Sequence, residues 1–190
     1  MSEPRLILAS ASPRRSELLA GLGVEFEVVV PKVEEARDGG SPAAIVLENA
    51  RRKARAAAAS GAEGALVLAV DTDVALGGRL LGKPADERGA RERLEALSGR
   101  THEVVSGVVF LGAGSERSAV ETSRVTFARL RSAAVERYLD SGEWRDRAGA
   151  YAVQGLGSML VERVEGDLSN VIGLPLRRLL ALAPEIARNT

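Results

Sequence analysis

The chain has 190 residues, 45% hydrophobic and 27% charged, which is enough to bury a substantial core and fits one domain over 1–190 with two closely joined lobes. Its 26 basic and 26 acidic residues cancel, so no whole-molecule field draws in nucleic acid or an anionic membrane, and an anionic ligand must be held locally. Without cysteine there is no disulfide or thiol nucleophile, the single His102 argues against a serine–histidine triad, and no apolar run approaches the roughly 20 residues of a membrane span.

Only 3% of residues are aromatic, so the core is mostly aliphatic. The N-terminus lacks a secretory signal pattern, and a cytoplasmic location is expected. In chain order, Arg5–Ala9 reads as a buried strand and Pro13–Leu22 as a helix, with Ser12 as its cap and Pro13 at the first helical position. Phe26–Val30 reads as a second strand. Ser41 and Pro42 then start an alanine-rich helix to Ala59, with Asn49 and Lys53 on one face. Ala65–Leu76 is the most strand-like segment, and Gly77-Gly78 turns it into a short arm, Arg79–Leu81. A helix over Asp86–Leu97 precedes two long strands, His102–Leu111 and Ala119–Leu130, separated by the turn Gly112–Ser115. A helix at Ala133–Ser141, a loop holding Gly149–Gly157, a strand at Ser158–Val164 and a helix from about Gly173 complete the chain. The order predicts a mixed α/β fold with inserted hairpins, not a simple Rossmann winding.

Ser10-Ala-Ser-Pro-Arg-Arg15 joins a strand end, a helix start and two guanidiniums, which is the layout of a phosphate grip. Asp71 sits inside an apolar run, where an ionised side chain is costly unless paired or metal-bound. Strand alternation sends Asp71 and Asp73 to one face and Thr72 to the other. The two acids either share a divalent cation or perturb each other's ionisation, or the strand has reached solvent and Asp73 is simply hydrated. Glu34 and Glu35 follow the second strand and join Asp71 at one end of the sheet if the strands run parallel. Arginine supplies almost all the positive charge, and Lys53 and Lys83 stand out among the three lysines because both fall in candidate ligand segments. Gln154, in the glycine-rich loop, offers a donor and an acceptor that suit either a base edge or neighbouring backbone. His102 is assigned a structural or surface role.

The motifs Ser10–Arg15, Asp71-Thr72, Gly82-Lys83-Pro84, Leu97–His102 and Gly173-Leu174-Pro175, in this order, resemble those of Maf nucleotide pyrophosphatases from about Leu6 to Leu180. The resemblance implies an elongated α/β fold related to inosine triphosphate pyrophosphatases, with a cleft between two lobes and a homodimeric assembly. It implies metal-dependent hydrolysis of nucleoside triphosphates to monophosphate and pyrophosphate, with Mg²⁺ or Mn²⁺ held by Asp71 and by Glu34, Glu35 or both. Asp71 is then the proton acceptor or metal-linked acid. Ser10, Arg14, Arg15, Lys53 and Lys83 hold the triphosphate, the arginines and lysines neutralising charge on the departing pyrophosphate. Arg14, Thr72 and Gln154 look like those of relatives that prefer dTTP and UTP, whereas relatives acting on 7-methyl-GTP tend to carry glutamate at the last position. CTP, ITP and 7-methyl-GTP are the alternative substrates, and a nucleotide-binding regulator of cell division is the non-catalytic alternative. This chain departs from the family pattern at Val70, at Asp73, where many relatives are apolar, and at Arg147 and Ala152 in the glycine-rich loop.

Overall fold

The computed structural model describes residues 5–60, 64–112 and 114–189. Its frame is a mixed seven-stranded sheet in the order β2-β1-β3-β5-β6-β7, with β4 paired to the far end of β3. The strands are β1 (Leu6–Ala9), β2 (Glu27–Val29), β3 (Leu66–Leu76), β4 (Arg79–Leu80), β5 (Thr101–Gly112), β6 (Ser115–Phe127) and β7 (Val161–Glu165). Helices α1 (Pro13–Ala20), α2 (Pro42–Ala59), α3 (Glu87–Leu97), α4 (Ser132–Ser141), α5 (Leu168–Ile172) and α6 (Leu176–Leu182) flank it. The turn between β5 and β6 includes Ala113, which lies outside the described residues.

The register of β3 makes the gap in which the site lies. Strand β1 pairs with β3 only from Leu66 to Ala69, and β4 pairs with it only at Ala75 and Leu76. Between those two partners, residues 70–74 keep β5 on one side and have no strand on the other. Both β1 and β2 run parallel to β3, so their carboxyl ends open at this same gap. That is where ligands bind in open α/β sheets.

Even-numbered and odd-numbered residues of β3 serve different layers. Leu68 and Val70 join Leu8, Leu19, Phe110, Leu174 and Leu179 beneath α1 and α6. Val67 and Ala69 join Ile7, Ala50, Ala54 and Ala57 beneath α2. Farther along, Val74 joins Leu94, Phe127, Tyr138, Trp144 and Tyr151 in a separate cluster under α3 and α4. Small residues let α2 approach closely: Ala50, Ala54 and Ala57 are at most 1% exposed. Gly107, directly opposite Asp71 in the ladder, completes this approach. A Cβ there would lie 2.5 Å from the Val46 carbonyl oxygen of α2, so only glycine allows the helix to reach the strand.

Several elements differ from the sequence expectation. The final helix expected from about Gly173 begins at Leu176 as α6, and a short helix not expected from the sequence, α5, precedes it: Asp167 caps α5 by accepting from the Ser169 and Asn170 N–H groups, and Gly173 leaves it with φ 131°. The strand expected from Ser158 begins at Val161, because Gly155–Leu160 forms a 3₁₀ turn. In the glycine-rich 149–157 loop the space a Cβ would take is filled by protein at all three glycines, a Cβ at Gly155 meeting Glu143 Oε1 at 2.7 Å. A Cβ at Gly149 would meet Val74 at 2.9 Å and one at Gly157 would meet the Ala152 carbonyl oxygen at 1.9 Å. Ser12 makes no side-chain cap bond; Ser10 Oγ instead accepts from the Ser12 N–H at 3.2 Å. Among the described residues, no helix is long and apolar enough to cross a membrane.

Candidate active site

The floor of the gap is the segment Asp71-Thr72-Asp73, and the pleat separates its side chains as expected. Asp71, 8% exposed, faces α2: Oδ1 accepts from Lys53 Nζ at 2.6 Å and Oδ2 from Asn49 Nδ2 at 3.1 Å. Asn49 and Lys53 lie four residues apart on α2, so one helical face delivers both donors. Asn49 cannot rotate freely, because its amide also exchanges two hydrogen bonds with the Ala36 backbone, at 2.8 and 3.0 Å. Lys53 Nζ reaches a second carboxylate, Glu35 Oε1, at 2.6 Å. A single half-buried ammonium thus holds a strand acid and a loop acid side by side.

Thr72 faces the opposite layer. Its hydroxyl accepts from Arg15 Nη2 at 3.1 Å, shares a 2.7 Å bond with Ser106 Oγ, and lies 3.3 Å from the Gly173 carbonyl oxygen. Arg15 is buried and donates from all three nitrogens, also reaching Ser10 Oγ at 3.0 Å and the Gly173 carbonyl at 2.8 Å. Each terminal nitrogen keeps one further N–H. Burial pulls its guanidinium down to about 10, with Asp71 opposing that shift, so it remains charged at neutral pH. Arg14 is half-buried, and the same cause lowers it from its ordinary value.

Asp73 is not a hydrated surface acid. It is partly buried on the wall of the gap, and its Oδ1 accepts from the Val74 N–H at 2.7 Å and the Gly82 N–H at 3.0 Å. Burial raises its carboxyl to about 6 against the opposing pull of those two amides. Lys83 stands at the rim, its side chain 64% exposed, with Nζ 3.9 Å from Asp146.

These groups line one cavity of about 870 Å³ that includes Ser10, Arg14, Arg15, Glu35, Lys53, Asp71, Thr72 and Lys83. Two of the residues singled out from sequence are not among its lining. Glu34 lines an adjoining depression, which shares Glu35, Ala36 and Arg37 with the cavity and also includes Asp38 and Arg52. Gln154 is exposed at the start of a 3₁₀ turn on the far side of Tyr151 in sequence. Sequence reasoning also missed participants: Arg93, Asp146 and Tyr151 line the cavity. His102 lies behind Tyr151, 2% exposed, with Nε2 2.8 Å from the Tyr151 hydroxyl, and burial lowers its imidazole to about 4. Its role is to support that wall.

Fold and site together define an α/β protein with a polar cleft at the carboxyl ends of its parallel strands, lined by acids, arginines and lysines. Residues 5–186 match the family described as Maf-like protein, and the chain belongs to that family. It is 51% identical over 179 residues to the dTTP/UTP pyrophosphatase of Deinococcus radiodurans, covering 94% of this chain and 91% of the relative. The dTTP/UTP pyrophosphatase of Myxococcus xanthus is 49% identical over 177 residues, covering 93% and 90%. Among solved structures, the HAM1 protein from Coxiella burnetii shares the fold, with a TM-score of 0.50 and 21% identity over 67% of this chain and 75% of that one.

Proposed function

We propose that this cleft hydrolyses nucleoside triphosphates, dTTP and UTP foremost, to the nucleoside monophosphate and pyrophosphate. The base preference rests on the names of the relatives, since Gln154 does not line the cavity. The observation that carries the reaction is the gathering of charges in one space: the Glu35–Lys53–Asp71 chain lines the same cavity as Arg14, Arg15 and Lys83. A cavity of about 870 Å³ is within the range of small-molecule sites, roughly 300–1,000 Å³.

In this reading the arginines and Lys83 bind the polyphosphate and neutralise the charge that develops on the departing pyrophosphate. Water attacks the α-phosphorus, an oxygen–phosphorus bond forms there, and the bond from that phosphorus to the bridging oxygen breaks. Asp71 accepts the proton of the attacking water, its position fixed by Lys53 and Asn49. Glu35, which lines the cavity, is assigned the second acidic role, and Glu34, which does not, is given none.

The donor chemistry fits a hard divalent cation such as Mg²⁺ or Mn²⁺. Asp71 and Glu35 offer carboxylate oxygens within reach of one ammonium, and Mg²⁺ characteristically takes one or two carboxylates and completes its shell with water and substrate phosphate. Among the described residues no group of three or more acidic, histidine or cysteine side chains forms a metal cage, so phosphate and water would supply the other ligands. When bound, such an ion polarises phosphate oxygens and lowers the pKa of coordinated water.

A panel of dTTP, UTP, CTP, ITP and 7-methyl-GTP with Mg²⁺ or Mn²⁺, with separate detection of pyrophosphate and orthophosphate, tests the proposal. Pyrophosphate release from dTTP and UTP at the highest rates is expected. Nucleotide binding without pyrophosphate release would overturn it in favour of a regulatory role.

A further inference from the structure

We infer that Arg93 is a positioning residue for Lys83: from α3 it clamps the backbone that carries this lysine to the cavity. The inference rests on the role given to Lys83 above. Lys83 has little to fix it. Its side chain is 64% exposed, and its one ion-pair partner among the described residues is Asp146, at the long distance of 3.9 Å. A flexible four-carbon stem can hold an ammonium on a phosphate only if its backbone is held.

The backbone is held from several directions. The Leu81 N–H donates to the Val74 carbonyl at 2.8 Å and the Gly82 N–H to Asp73 Oδ1 at 3.0 Å, which ties the segment to β3. The Gly149 N–H donates to the Gly82 carbonyl at 3.0 Å. Arg93 completes the arrangement from the opposite side. Its Nε donates to the Leu81 carbonyl at 2.9 Å and reaches the Gly82 carbonyl at 3.3 Å, Nη1 donates to the Gly89 carbonyl at 2.8 Å, and Nη2 lies 3.5 Å from the Lys83 carbonyl. Gly82 itself turns with φ 60°. Room for the guanidinium is provided by Gly89, where a Cβ would lie 3.2 Å from Arg93 Nη1 and 3.2 Å from Asp86 Oδ1.

The donors of Arg93 go to carbonyl oxygens and not, among the described residues, to a carboxylate. A planar fork that spans consecutive carbonyls is a use of arginine that lysine cannot reproduce. Methionine at this position would fill the space without the fork, releasing the Leu81 carbonyl, leaving the Gly82 carbonyl to the Gly149 N–H alone and loosening the lysine's support. Displacement of a catalytic group by about 1 Å can cost on the order of 10²-fold in rate.

A double-mutant cycle tests the inference. Arg93→Met, Lys83→Ala and the double variant are assayed for pyrophosphate release from dTTP, with thermal unfolding measured alongside. Arg93→Met should lower kcat/KM by roughly 10-fold or more in the wild-type background and by less than about 2-fold once Lys83 is alanine. Arg93→Lys should rescue only part of the loss, and Gly89→Ala, which crowds the guanidinium, should mimic it weakly in the same background-dependent way. These two variants carry the test if Arg93→Met fails to fold. Equal losses in both backgrounds mean that Arg93 acts independently of Lys83 and overturn the inference, as does wild-type activity in Arg93→Met when Lys83→Ala is impaired. Full activity in Lys83→Ala removes the role assigned to Lys83 itself, which is a distinct failure of the functional reading.

Discussion

Replacing Asp71 by asparagine separates the chemistry of the cleft from its architecture. The aspartate is 8% exposed and receives two donors, Lys53 Nζ at 2.6 Å and Asn49 Nδ2 at 3.1 Å. An amide of the same shape has one acceptor oxygen, so it satisfies one donor and turns an N–H toward the other. Asn49 cannot flip to relieve the conflict, because its oxygen and nitrogen are both engaged by the Ala36 backbone. Lys53 keeps Glu35 at 2.6 Å, so no buried charge is orphaned and the larger penalty of a broken buried ion pair does not arise. One unsatisfied donor costs about 1–3 kcal/mol. For a chain of this size that corresponds to a fall in Tm of about 2–12 °C. Loss of a general base costs about 10²- to 10⁴-fold in turnover, far more than such a loss of stability takes away below the transition. Steady-state pyrophosphate release at a temperature where circular dichroism shows the variant folded is the assay. Turnover like that of the wild type would remove Asp71 from the mechanism, and an unchanged Tm would refute the donor arrangement.

The two neighbouring glutamates are expected to separate: Glu35→Gln should lower kcat/KM by about 10-fold or more, whereas Glu34→Gln, outside the cavity, should stay within about 2-fold. Equal effects in the nucleotide assay would cancel the assignment of Glu35. Stability should also carry two opposed pH dependences. His102, held near 4 against an ordinary value of about 6.5, takes up a proton more readily when unfolded, so its contribution is present above that window and is lost as pH falls through it. Asp73, raised to about 6, is the opposite case: the folded form binds its proton more tightly, and stability is lost as pH rises from about 4 to 6. The difference in unfolding free energy between wild type and His102→Gln should therefore rise between pH 4 and 6.5, and that between wild type and Asp73→Asn should fall between pH 4 and 6. Urea unfolding at stepped pH measures both, with amplitudes on the order of 2 kcal/mol; parallel curves would contradict the burial argument.

Legibility of the sequence followed local determination. Ser41-Pro42 fixes the start of α2, and the Asn49–Lys53 spacing correctly groups two side chains that meet Asp71. Alternation along β3 likewise separates Thr72 from its acidic neighbours. The five-residue helix α5 lacked a readable period. It is stabilised by the Asp167 cap and by contacts remote in sequence, such as Asn170 Nδ2 donating to the Val104 carbonyl at 2.9 Å. Glu34 and Glu35 lie in irregular backbone, where no periodicity states which side chain turns inward. The donor and acceptor of Gln154 suit a base edge on paper, yet the residue is exposed outside the cavity and the glycines around it are packed against protein atoms. Arg93 was hidden for another reason: on α3 it looks like Arg88 and Arg91, and only the position of the β4–α3 connection makes it a clamp.

Hydrolysis of dTTP in ¹⁸O-labelled water, with mass analysis of both products, tests most directly that this cleft directs water to the α-phosphorus. One labelled oxygen in the nucleoside monophosphate and none in pyrophosphate is the expected result. Label in pyrophosphate, or release of labelled orthophosphate with the nucleoside diphosphate, would contradict it.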